Sequence, residues 1–174
     1  MTIEDLLKDK ETKTKEKTTI ISGWLLEKSL TVDELIAFAE LQKDPVKATC
    51  MEAAEYATKE NPIISTESLF DFACVSLTQK APRLKWESAK VIGNIASLYP
   101  DKLKNAIKNL IDNTNHEGTV VRWSAAFALG EILKLQTKHN IDLLKIIETI
   151  CESEEKNSIK KIYTAAIKKI GKIK

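Results

Sequence analysis

Apolar side chains recur along most of this chain at the three- and four-residue spacing of helices that bury one side. Starting from Leu84, small or apolar residues return at +4, +7, +8 and +11, namely Ser88, Val91, Ile92 and Ile95. The same offsets from Val121 give Ala125, Ala128, Leu129 and Ile132. From Ile159 they give Tyr163, Ala166, Ile167 and Ile170. On a helix of about 3.6 residues per turn these offsets form one stripe. Between these helices the pattern predicts others. Their stripes are Leu35, Phe38, Ala39 and Leu41; Leu69, Phe72, Ala73 and Leu77; Leu103, Ala106, Ile107, Leu110 and Ile111; and Leu143, Leu144, Ile147 and Ile150.

The second helix of each predicted pair opens the same way, with an apolar residue followed by a basic one. Asp44-Pro45-Val46-Lys47, Pro82-Arg83-Leu84-Lys85-Trp86 and Thr119-Val120-Val121-Arg122-Trp123 share this start, and Ile159-Lys160 is a looser fourth copy. Successive copies lie 38, 37 and 38 residues apart, a period that marks a repeat architecture. Gly93 and Gly130 occupy one repeat position, where a missing side chain lets a neighbouring helix come close. Helix starts are marked by a capping box at Thr31 and Glu34, by Asp44 as N-cap with Pro45 at N1, and by Asn140 and Asn157 as caps. Polar connections such as Asn113-Thr114-Asn115 are short enough to join antiparallel neighbours.

Composition agrees with this pattern. The 174 residues include only 5 Gly and 4 Pro, too few to punctuate a set of short strands. The expected fold is all-α, one domain over 1–174. Residues 1–30 form an N-terminal helical cap, and 31–174 form about four helix pairs. Ile3, Leu6 and Leu7 make a short stripe ahead of mixed Lys and Glu, so 1–17 read as a partly frayed end.

The run Val121-Arg122-Trp123-Ser124-Ala125-Ala126-Phe127-Ala128-Leu129-Gly130-Glu131-Ile132, with the Asp-Pro-Val-Lys turn and the period of about 37, resembles HEAT repeats. The resemblance spans about residues 31 to 172. It implies a right-handed α-solenoid of stacked antiparallel helix pairs, each hiding its stripe against its neighbours. It also implies that Asp44 and Asp112 pair with Lys47, Lys85 or Arg122 of adjacent repeats. It does not specify a function, because such repeats serve many.

Charge narrows the choice somewhat. Lys and Arg number 27 against 25 Asp and Glu, a net +2, whereas phosphate-backbone binders carry a larger surplus. Lys160, Lys161, Lys168, Lys169, Lys172 and Lys174 rim the last helix and read as a solvated face. Cys50, Cys74 and Cys151 are odd in number and sit among apolar neighbours, as buried thiols in a reducing cytoplasm do. The chain opens without a basic segment leading into an apolar one, and no stretch has the ~18–20 apolar residues of a membrane span. A cytoplasmic protein without membrane contact is expected.

Catalytic chemistry finds no footing. There is no Gly-rich phosphate loop, Cys pair or nucleophile elbow, and the histidines are His116 and His139 alone. His116-Glu117 is similar to one of the His-Glu pairs by which HEAT-like deoxyhypusine hydroxylases hold iron, but the other repeats supply no second pair. No catalytic residue, metal or cofactor is expected. Glu52, Glu55, Asp101, Glu152, Glu154 and Glu155 read as carboxylates where helices meet solvent.

One constellation remains. Trp86 and Trp123 hold the same repeat position, about 200° around the helix from the apolar start. Phe127 and Lys90 lie four residues further on, and Tyr56, Asn94 and Glu131 extend that face by a turn. In a HEAT stack it is the inner, concave surface, fringed here by Lys85, Lys90 and Arg122. The tryptophans either stand open on it or wedge between neighbouring second helices. Trp, Tyr and Arg dominate protein interfaces, so the expected activity is non-enzymatic binding of a protein or peptide. The alternative is nucleic acid, since HEAT-like DNA alkylation-repair glycosylases hold duplex in such a cleft. That family sets tryptophans near a catalytic Asp; here Lys28, Lys90 and Phe127 stand four residues after the three tryptophans.

Overall fold

Ten α-helices and no strand make up residues 1–171, the part of the chain that the computed structural model describes. Lys172 and Lys174 of the lysine rim lie outside the described residues. The helices are α1 (Ile3–Lys8), α2 (Thr14–Glu27), α3 (Val32–Glu40), α4 (Asp44–Glu60), α5 (Glu67–Ser76), α6 (Pro82–Ile95), α7 (Leu103–Asn113), α8 (Thr119–Lys134), α9 (Asn140–Ser153) and α10 (Asn157–Gly171). Single 3-10 turns at Pro62–Ile64, Ala96–Leu98 and Pro100–Lys102 link α4 to α5 and α6 to α7.

Helix starts fall within one residue of those expected, but of the four expected caps only Thr31 caps its helix. Thr31 and Glu34 form the capping box, which satisfies two backbone donors reciprocally. Asp44 is the first helical residue of α4 and not its cap; Lys43 takes that place without a side-chain bond, and Pro45 sits at the second position. Asn140 likewise lies inside α9, where its Nδ2 donates to Leu133 O at 2.7 Å. Asn157 is the first residue of α10.

The even-numbered helices pack on one another in chain order: α2 on α4, α4 on α6, α6 on α8 and α8 on α10. The odd helices pack mainly on their even partners and, apart from α3 against α5, touch one another far less. The predicted stripes point into the resulting core. Val91, Ile92 and Ile95 of α6 and Ala128, Leu129 and Ile132 of α8 are buried, as are Leu35, Leu69, Leu103, Leu110, Leu143 and Ile147 of the odd helices. Leu41 departs from its stripe. It caps α3 and is 85% exposed, because the helix ends one residue before it.

The first 30 residues hold two helices, α1 and α2. Thr2 and Asp5 form a capping box at α1. Lys17, the fourth residue of α2, is buried and donates to Leu7 O at 3.0 Å and to Asp9 O. α1 and α2 thus form a helix pair closed in the same manner as α5–α6 and α7–α8, and α2 packs directly on α4.

Candidate functional site

The basic residues expected to fringe the aromatic face separate into two groups. Lys85 is the fourth residue of α6. Its ammonium donates to Leu77 O at 2.9 Å, just past the end of α5, and to Asn113 Oδ1 at 2.9 Å on α7. Arg122, the fourth residue of α8, donates to His116 O and Glu117 O at 3.0 and 3.1 Å and to the Glu154 carboxylate at 3.0 and 3.4 Å. Both side chains are spent on joining helix pairs and do not fringe the cleft. Their partners are Asn113 and Glu154, not Asp44 or Asp112. Burial alone would raise the Glu154 carboxyl, but Arg122 and the Lys156 and Glu155 amides hold it below the usual glutamate range.

Tyr56, Lys90, Trp123 and Phe127 do come together. With Glu55, Lys59 and Asn94 they line a cleft of about 260 Å³ across α4, α6 and α8. Trp123 is 39% exposed at its edge. Its ring lies 6.1 Å from that of Phe127 and 10° from parallel, the geometry of an i, i+4 aromatic pair. Phe127 is set by Gly93 of α6, where an added Cβ would stand 2.5 Å from Phe127 Cε1. Gly130 does the corresponding service for α10, with Ala166 Cβ 3.4 Å from such an atom. Trp86 is not part of this cleft. It is half-buried, and its Nε1 donates to Glu87 Oε1 at 2.7 Å.

Glu55, expected where a helix meets solvent, instead joins Glu87 in a buried acidic cluster. Glu55 and Glu87 are 5% and 3% exposed. Lys90 Nζ stands 3.4 Å from Glu55 and 2.8 Å from Glu87. Burial raises the Glu55 carboxyl above its ordinary value, Lys90 opposes that and Glu87 adds to it. Burial disfavours the Lys90 ammonium, but Glu87 and Glu55 outweigh it and raise the group. Asn94 donates to Glu55 O and Thr58 Oγ1, both at 3.2 Å, and so pins α6 to α4. One turn away Glu52 accepts from Arg83 at 2.5 Å and from Thr18 at 3.0 Å. Glu87 and Lys90 stand at i, i+3, a spacing visible in the sequence. The approach of Glu55 from another helix was not.

Elsewhere the side chains serve the fold. His116 Nδ1 accepts the Gly118 amide at 2.9 Å within the α7–α8 turn. Among the described residues, no group of three or more His, Cys, Asp or Glu is placed to hold a metal ion. Among them too, no helix is long and apolar enough to cross a membrane. All three cysteines are free.

No protein-family model matches the chain, and no curated protein does so. It is similar in structure to an engineered protein of known crystal structure, with 18% identity and a TM-score of 0.64. The match covers 97% of this chain and 79% of the engineered one. At that identity the likeness concerns the fold alone.

Proposed function

We propose that this chain is a non-enzymatic binding module: a solenoid of HEAT-like helix pairs that holds a protein or peptide on the open face of its even helices. The succession α2, α4, α6, α8, α10 supports the solenoid, since each even helix packs on the next. The observation that carries the function is Trp123, exposed and stacked on Phe127 at the mouth of a cleft that also presents Tyr56. A tryptophan held open at a cost in solvation, beside further aromatic rings, has the composition of an interface anchor. The three free thiols suit a reducing compartment such as the cytoplasm.

The nucleic-acid alternative has less support on this face. Lys85 and Arg122 are engaged elsewhere, and Lys90, which lines the cleft, is paired with Glu55 and Glu87.

A displayed peptide library selected on the immobilised full chain tests the proposal. Selected peptides should bind Trp123→Ala and Phe127→Ala at least about tenfold more weakly, the loss of a hot-spot anchor, and Trp86→Ala almost normally. Peptides that bind Trp123→Ala equally well, or a library that yields none, would overturn it. Labelled duplex DNA at low and physiological salt is the companion measurement. Binding that weakens steeply with salt would put nucleic acid in place of the peptide.

A further inference from the structure

We infer that the cleft takes a cationic side chain of the partner, an arginine or lysine whose head lies against Trp123, Phe127 and Tyr56 and pairs with Glu55. The inference rests on the peptide-binding reading above and names the chemistry of its central contact.

The charges carry it. Two carboxylates, each about nineteen-twentieths buried, are answered by the single ammonium of Lys90. Glu87 Oε1 accepts from the Trp86 indole, and Oε2 stands 2.8 Å from Lys90 Nζ without a hydrogen bond. Glu55 has the longer approach to Lys90, 3.4 Å, and its own side chain lines the cleft. The neighbouring charges do not balance it. Glu52 and Arg83 satisfy each other, Glu131 and Lys134 do likewise, and Lys59 is exposed on the rim, where water screens it. Among the buried groups one negative charge therefore stands in excess, with Lys59 opposing it from the rim. Such a charge binds a proton or a counter-ion.

The walls select which ion. Aromatic faces attract a cation within roughly 6 Å of the ring centroid, most strongly when it is desolvated. An organic cation can lie on the Trp123 and Phe127 rings while it reaches Glu55. The volume of about 260 Å³ is below the roughly 300–1,000 Å³ of small-molecule sites, and it suits one inserted side chain.

The test is nuclear magnetic resonance on the ¹⁵N-labelled full chain. It is titrated with acetyl-Ala-Ala-Arg-Ala-Ala-amide and with analogues carrying lysine, citrulline or glutamate at the centre. The arginine peptide should shift the Trp123 indole signal saturably, at least about tenfold more tightly than the citrulline one. Glu55→Gln should remove that preference. Equal binding of arginine and citrulline peptides would overturn the cationic ligand and leave the peptide-binding surface standing. If none of these peptides shifts the signal, the inference falls, and the surface is judged by the library selection alone. A shift by duplex DNA and by no peptide would sink both readings. The titration of the Glu55 carboxyl carbon in the unaltered protein is independent of any variant's folding. A Glu55 found protonated at pH 7 removes the excess charge, and the proposal with it.

Discussion

Phe127 of α8 lies over Gly93 of α6, so close that a single methyl group at Gly93 would come within 2.5 Å of the ring edge. The contact joins neighbouring even helices and also orients the ring on which Trp123 stacks. Position 93 therefore controls an exposed side chain on another helix.

Gly93→Ala should consequently move both aromatic rings. Alanine gains up to about 1 kcal/mol in helix propensity, but overpacking costs about 1–3 kcal/mol, so net destabilisation is expected together with an altered tryptophan emission. In a Phe127→Ala background the same change should stabilise. Urea unfolding followed by fluorescence measures both, and destabilisation of equal size in both backgrounds would show that the ring is not the obstacle.

Lys17 fastens α1 to α2 through two main-chain acceptors. Lys17→Ala should leave those carbonyls without their donor and cost about 1–3 kcal/mol. Hydrogen exchange should then show residues 3–8 losing protection while α6 and α8 keep theirs. Uniform loss across the chain would mean that α1 belongs to the global folding unit.

The Arg122–Glu154 pair has a pH signature. Glu154 is held below the usual glutamate range, so the native state binds fewer protons there than the unfolded chain. The pair's stabilisation is complete above the ordinary glutamate pKa of about 4.3 and is lost as pH falls through and below it. The difference in stability between the unaltered protein and Glu154→Gln should shrink from pH 7 to pH 3. Arg122→Ala, which strands a buried carboxylate, should cost about 3–5 kcal/mol at pH 7.

Glu55 has the opposite sign. Its carboxyl is raised, with Glu87 adding to the effect of burial and Lys90 and Lys59 opposing it. The native state therefore holds its proton longer than the unfolded one, and stability declines as pH rises above the ordinary glutamate value. Glu55→Gln removes that decline, so its stability relative to the unaltered protein should be higher at pH 8 than at pH 4. Thermal melts at the two pH values decide it, and an unchanged difference would contradict the assignment.

The thiols should divide by burial. Cys50 is 1% exposed and its pKa is pushed up to about 12 by burial, while Cys74 and Cys151 are only half-buried. An aromatic disulfide reagent at pH 8 should titrate two thiols in the folded protein and the third only after unfolding. Three fast equivalents would mean that α4 opens readily.

The periodic part of this molecule was legible in its sequence, because a stripe depends only on spacing along one helix. Leu84, Ile92, Ala125 and Leu129 are buried where the pattern placed them. Tyr56, Lys90, Trp123 and Phe127 share a cleft for the same reason, since four-residue steps along the second helices keep them on one face. The misassignments involve atoms that reach beyond their own helix. Lys85 and Arg122 extend towards main-chain carbonyls, which carry no sequence signature. Glu55 resembles any other helical carboxylate until α6 places Lys90 and Glu87 against it. Trp86 matches Trp123 in repeat position, yet the glutamate that follows it takes its indole N–H.

The fastenings at Lys17, Lys85 and Arg122 have a further consequence. In each case the first acceptor lies inside the same helix pair, at Leu7, at Leu77 or at His116, and only Lys85 and Arg122 reach onward, to Asn113 and Glu154. A pair can therefore close on itself before its successor exists. A cut after α2, α6 or α8 would leave the fastening inside the preceding pair intact.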